Sequence, residues 1–277
     1  MLRSLQELHS YTIGATDGDI GHVSDLYFDD QAWVVRYLVV QTGSWFTDRK
    51  VLISPFSAGE PDWAAKRLPV SISREQLKNS PDIDTDQPVS RQHETQYSDY
   101  YGYPYYWAGD GLWGDGNYLP ALAGTGVPST ARSRAIDAEV AAVYARAEAS
   151  RLDDADPHLR SCKSVVGHQI QASDAELGHV QGMLVDEETW AIRYLVVDTG
   201  TWWQGHQVLI APQWITNISW EHSSVTINLT QQAIQDSPRF DSSEAMNRQQ
   251  ESDLYRYYGL PNYWERERNR ELIDDRS

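Results

Sequence analysis

The sequence predicts a mainly β protein: two tandem small antiparallel β-barrels with short helices and C-terminal aromatic arms, joined by a partly helical linker. Three observations predict it. A module of roughly 100 residues is written twice, each copy holds five or six short apolar runs separated by turn residues, and each copy ends in the same tyrosine-rich string.

The duplication rests on one spacing. Gly21-His22-Val23 recurs 157 residues later as Gly178-His179-Val180. At that spacing Trp33 meets Trp190, Arg36-Tyr37-Leu38-Val39-Val40 meets Arg193-Tyr194-Leu195-Val196-Val197, and Val51-Leu52-Ile53 meets Val208-Leu209-Ile210. Tyr100-Tyr101-Gly102 falls on Tyr257-Tyr258-Gly259, and Tyr106-Trp107 on Tyr263-Trp264. Repeat 1 is read as 1–108 and repeat 2 as 161–277, with 109–160 between them as a Gly-rich loop followed by a linker helix over Thr130–Leu152.

Within a module, Tyr11–Gly14 reads as a strand and Asp17-Gly18 as a tight turn. Ile20 to Phe28 alternates apolar and polar, and Gly21, like Gly178, marks a bulge or bend. Asp29-Asp30-Gln31 turns the chain, with Asp186 in the second copy. Trp33–Gln41 is apolar on both faces except for Arg36; Arg193 is its counterpart. One face of that strand fills the barrel, and the other needs cover from a helix, the tail or the sister barrel. Lys50–Ser54 is the next strand and Trp63–Ile72 a final hairpin. Ser73-Arg74-Glu75-Gln76 has the form of a capping box. A second helical segment runs into the tyrosines and stops at Gly102 or Gly259, each followed two residues later by proline.

The run Gly21-His22-Val23-Ser24-Asp25-Leu26-Tyr27-Phe28-Asp29 before Arg-Tyr-Leu-Val-Val resembles the PRC-barrel pattern, and so does the segment ending Val51-Leu52-Ile53-Ser54-Pro55. In the second copy Gly182 replaces the first aspartate and Asp186 keeps the second. The resemblance covers about 11–81 and 168–238. It implies a small β-barrel that binds rather than catalyses, similar to the cytoplasmic barrel of the photosynthetic reaction centre H subunit and to the RimM barrel, both of which contact other macromolecules. A reaction-centre H-like role in photosynthetic electron transport follows from that resemblance alone.

Composition narrows the classes. The net charge of −17 repels polyphosphate backbones and argues against nucleic acid as a partner; it suits a basic protein. No run is long and apolar enough for a membrane-spanning segment, the opening Met1–Glu7 lacks the core of a secretory signal, and one cysteine, Cys162, points to a reducing cytoplasm. Tyrosine and tryptophan (16 and 11) far outnumber phenylalanine (4), which suits seams and interfaces.

The candidate interaction residues are Trp45, Phe46, Trp202 and Trp203, on loops after Thr-Gly; they serve as binding hot spots or pack on their own repeat's tail. Arg36 and Arg193 are expected to form an internal ion pair with a turn aspartate, the alternative being an anchor between the barrels or to a partner. His22 and His179 lack convergent partners, so no metal or cofactor is expected. Asp29 and Asp186, like Asp17 and Asp174, sit at turns, where aspartate steadies the backbone. Trp107 and Trp264 belong to structural arms. The leading expectation is a non-enzymatic interaction or scaffold module with an unknown protein partner, its two barrels packed about a pseudo-two-fold axis, and a possible homodimer. The alternative is small-ligand or carbohydrate binding on open Tyr/Trp arms.

Overall fold

The computed structural model describes residues 1–9, 11–43, 49–81, 89, 91–108, 111–115, 158–200, 206–242 and 246–265. In chain order its elements are β1 (Leu2–Ser4), α1 (Leu5–Leu8), β2 (Thr12–Ala15), β3 (Gly18–Asp29), β4 (Val34–Thr42), β5 (Lys50–Ile53), β6 (Arg67–Pro69), α2 (Arg74–Asn79), α3 (Arg91–Tyr101) and β7 (Leu112–Asp115). The second series is β8 (Leu159–Ser161), α4 (Cys162–Val165), β9 (Gln169–Gln171), β10 (Glu176–Asp186), β11 (Ile192–Asp198), β12 (Gln207–Ile210), β13 (Ile215–Ser219), β14 (Ser224–Ile227), α5 (Gln231–Gln235) and α6 (Arg248–Tyr258). The expected linker helix over 130–152 lies outside the described residues. Among the described residues no helix is long and apolar enough to cross a membrane.

The chain forms two compact units. One comprises Leu5–Lys163 and Glu188–Ala191; the other comprises Met1–Ser4, Ser164–Glu187 and Ile192–Ser277. In the first, the sheet order is β5-β4-β3-β2-β6, and β3 is long enough to pair β2 along one stretch of its edge and β8 along another. In the second, the order is β12-β11-β10-β9-β14-β13, with β1 on β10 in the place that β8 takes on β3. The tripeptides of β1 and β8 are both Leu-Arg-Ser, 157 residues apart like the rest of the repeat, yet each completes the sheet built mainly from the other copy.

The fold is mainly β with short helices and aromatic clusters. Two details differ from purely antiparallel barrels. The sheets are mixed, because β2 pairs β6 and β9 pairs β14 in parallel. Among the described residues, hydrogen bonds close neither sheet: the last strand of each comes back alongside β2 or β9, leaving β5 and β12 as edges. A parallel return needs a crossover rather than a tight turn, and here it places that strand beyond β2 or β9 instead of against the opposite edge.

Strand β4 is buried at every position but Gln41. Tyr37 and Val39 pack with Leu52, Val89, Tyr97 and Leu159, so the helix α3 and its surroundings supply the cover that a strand apolar on both faces requires. Gly21 and Gly178 are places of close approach: a Cβ would lie 1.9 Å from the Gln41 carbonyl oxygen and 2.1 Å from that of Asp198. The ladder shifts register at these glycines on the β2 and β9 side, between Asp19 and Gly21 and between Glu176 and His179, and again on the β4 and β11 side, between Val23 and Asp25 and between Val180 and Gly182.

Candidate functional site: two equivalent buried arginine–carboxylate clusters

Each unit brings two arginines and two carboxylates together at the junction of the long strand pair and the aromatic arm. In the first unit β4 projects Arg36 inward, with 2% of its surface exposed. Such a cation needs partners, since stripping it of water is expensive. Its Nη2 lies 3.3 Å from Asp29 Oδ2, its Nη1 donates to the Leu112 carbonyl, and its guanidinium stacks 3.9 Å from the Tyr106 ring centre and 4.8 Å from that of Trp113. Nε has no hydrogen-bond partner among the described residues. Asp29 divides its oxygens: Oδ2 meets Arg36, while Oδ1 accepts from the Gln31 and Ala32 amides and shapes the turn into β4. Trp33 completes that turn at φ 56°. The segment 112–115, expected as loop, is the strand β7 that brings Leu112 and Trp113 over the arginine.

The arm contributes the second half. Glu94 of α3 is as buried as Arg36. It accepts from the Tyr106 hydroxyl and pairs with Arg91 Nη1 at 3.0 Å; Arg91 also donates to the Tyr106 oxygen and stacks 4.5 Å from the Trp107 ring centre. Burial pushes the Glu94 carboxyl up to about 7, against the opposing pull of Arg91, Tyr106 and Arg36. Burial likewise holds the Tyr37 and Tyr106 hydroxyls far above the usual phenol value, so both remain neutral donors.

The second unit repeats the arrangement at the same spacing. Arg193 Nη2 lies 3.6 Å from Asp186 Oδ2, and its guanidinium is 4.0 Å from the Tyr263 ring centre. Glu251 accepts from Tyr194 at 3.1 Å and Tyr263 at 2.8 Å, and pairs with Arg248 at 3.3 Å. Arg248 stacks 4.5 Å from the Trp264 ring centre. Burial raises the Glu251 carboxyl too. The copies differ in cover: the Arg248 side chain is 58% exposed where Arg91 is 30% exposed.

Each charge of these clusters meets a partner inside its own unit, with Arg36 and Glu94 buried and Arg248 open to water. In the arms Tyr97, Tyr105, Tyr106, Tyr255 and Tyr263 are buried, while Tyr100 and Tyr257 are each 41% exposed. Gly102 and Gly259 end α3 and α6 in the left-handed region, at φ 69° and 64°. Asp17 and Asp174 each accept a backbone N–H at 2.7 Å from the start of α2 or α5, Arg74 and Gln231 respectively. His22 and His179 are exposed on their strands. Cys162 is buried, and burial raises its thiol well above the ordinary value. Trp45, Phe46, Trp202 and Trp203 lie outside the described residues. Among the described residues no group of three or more His, Cys, Asp or Glu side chains is placed to hold a metal ion.

Arg91, Glu94, Arg248 and Glu251 escape a reading of the sequence. The one signal is that Arg-x-x-Glu recurs at the common spacing; on a polar helix such a pair reads as a solvated surface bridge. Asp25 is a further connection: it accepts from the Ser161 hydroxyl and, at 3.4 Å, from the Lys163 amide, fastening the end of β8, whereas Gly182 leaves the corresponding position bare.

Residues 12–70, from β2 through β6, match the family model of the PRC-barrel domain. The C-terminal half holds a second, similar β-sheet region that this model does not assign. No curated protein matches the chain.

Proposed function

We propose that this chain is a non-catalytic interaction module that presents acidic surfaces, and the loops carrying Trp45-Phe46 and Trp202-Trp203, to a basic protein partner. The observation that carries the reading is the fate of the charged side chains inside the fold. The Arg36–Asp29 and Arg91–Glu94 pairs and their counterparts in the other unit answer each other inside their own unit, which supports an architectural interior. Catalytic sites instead converge tuned groups on a cleft that a substrate enters. The PRC-barrel match over 12–70, a module used for binding, supports the same reading. The charge of −17 supports the sign of the partner.

The test is affinity capture from the native host's lysate with wild type and a Trp45→Ala/Trp202→Ala variant, at about 0.15 M and 0.5 M salt. Basic proteins retained by wild type, weakened by salt and lost in the variant support the proposal. Identical retention by both proteins, or none by either, overturns it.

A further inference from the structure

The two aromatic arms are not identical, and a cleft lies where the second departs from the first. In the first unit Tyr97 fills the space between α3 and the edge strand β5: it clusters with Leu52 and Val89, and its hydroxyl accepts from the Ser54 amide at 3.0 Å and donates to the Leu52 carbonyl at 3.3 Å. At the common spacing the second unit has Leu209, Met246 and Leu254 where the first has Leu52, Val89 and Tyr97. The tyrosine has moved one position along the helix to Tyr255, where Ser98 stands in the other copy. Its ring now packs against Tyr194 and Trp214, at 6.3 and 5.5 Å between ring centres. Nothing aromatic projects from position 254.

A cleft of about 200 Å³ lies there. Buried Leu209 and Leu254 form its floor, and half-buried Phe240 and Met246 line it further. Exposed Asp241 and Asp253, beside Arg239, ring its mouth. An apolar cavity of about 150 Å³ accepts one benzene ring, so a single aromatic ring fits this volume.

We propose that this cleft binds a small neutral phenol, in the place its sister repeat fills with the Tyr97 side chain. The ring replaces the missing tyrosyl ring between Leu209, Met246 and Leu254. The hydroxyl donates to the Leu209 carbonyl, the counterpart of the Leu52 carbonyl that Tyr97 uses. Asp241 faces the mouth with Arg239, and Asp253 is paired with Arg256 at 2.8 Å, so the mouth offers no net positive charge to a phenol bearing an acid group. The site stands independently of the protein-partner reading, because it uses none of the loop tryptophans.

The experiment is titration of the full ¹⁵N-labelled chain with p-cresol, toluene and 4-hydroxybenzoate, followed by amide shifts. Saturable p-cresol binding that shifts Leu209 and Leu254, about fivefold tighter than toluene, is expected, since a hydrogen bond to a carbonyl is worth about that factor. Leu254→Tyr restores the first repeat's residue, keeps the fold by circular dichroism and weakens p-cresol at least tenfold. Met246→Phe is a second filling variant should the first perturb the helix. The proposal is overturned by no saturable p-cresol binding to wild type, by toluene binding as well as p-cresol, or by folded filled variants that bind like wild type. A tyrosine-containing tetrapeptide that binds where p-cresol does not also overturns it, and assigns the cleft to a partner's side chain instead.

Discussion

Tyr106 donates its phenolic hydrogen to Glu94, and the same phenol oxygen accepts from Arg91 at 3.0 Å. The pair closes a cluster in which a carboxyl is buried beside two guanidinium groups and still holds its proton more tightly than in water. The cost of desolvating the anion outweighs the attraction of the cations.

A pH dependence of stability follows. Unfolded, the Glu94 carboxyl titrates near 4.5; folded, near about 7. The folded state therefore binds the extra proton in that interval. The stability this supplies is complete below about 4.5 and is lost as pH rises to about 7. Urea unfolding should show wild type less stable at pH 8 than at pH 5 by on the order of 2–3 kcal/mol from this group, before other titrations. Glu94→Gln should flatten that interval, and adding Glu251→Gln should flatten it further. A Gln variant that follows the wild-type profile would remove Glu94 as the cause.

Removing an arginine should hurt the first unit more than the second. Arg36→Met strands Asp29 and the Leu112 carbonyl under Trp113, at an expected cost of about 3–5 kcal/mol. Arg193→Met should cost about 1–3 kcal/mol, because its ion pair is longer and its cluster more open to water. Equal losses in chemical denaturation would contradict the ranking.

How far the sequence could be read depends on what each feature leaves behind in it. The duplication, the strands and the glycine helix stops are legible because each leaves a local mark: a repeated string, an apolar run, a Gly followed by Pro. That Arg36 pairs with a turn aspartate is legible because an arginine inside an apolar strand demands a carboxylate; that Asp29 and not Asp17 supplies it is not, since both stand at turns. Glu94 is not, since nothing local distinguishes a buried i,i+3 pair from a solvated one; its burial comes from Tyr106, twelve residues on. The parallel β2–β6 pair and the crossed placement of β1 and β8 are likewise set by long-range pairing, to which strand periodicity is blind.

Two glycines should separate crowding from backbone strain. Gly21→Ala drives a methyl into the Gln41 carbonyl oxygen, 1.9 Å away, so β3 and β4 must part; a loss of more than about 3 kcal/mol is expected. Gly102→Ala meets nothing within 4 Å and only holds alanine at φ 69°, for about 1 kcal/mol. Thermal or urea unfolding of the two variants checks the order.

Cys162 should behave as an inert thiol. Its burial and raised pKa predict slow reaction with Ellman's reagent at pH 8 in the native protein and rapid, stoichiometric reaction in urea. Fast native labelling would show that α4 opens readily.

The crossed strands tie the inheritance of the two copies together. Arg160, encoded at the head of the second copy, answers to Asp30 in the first; Arg3, encoded at the head of the first, answers to Glu187 in the second. Neither copy can drift at this tripeptide on its own account, since the residue that tolerates or rejects a change is written in its twin. Excising residues 1–108 as a fragment would likewise carry off β1, which the sheet of the other copy uses, and leave β3 with a bare edge where β8 had paired.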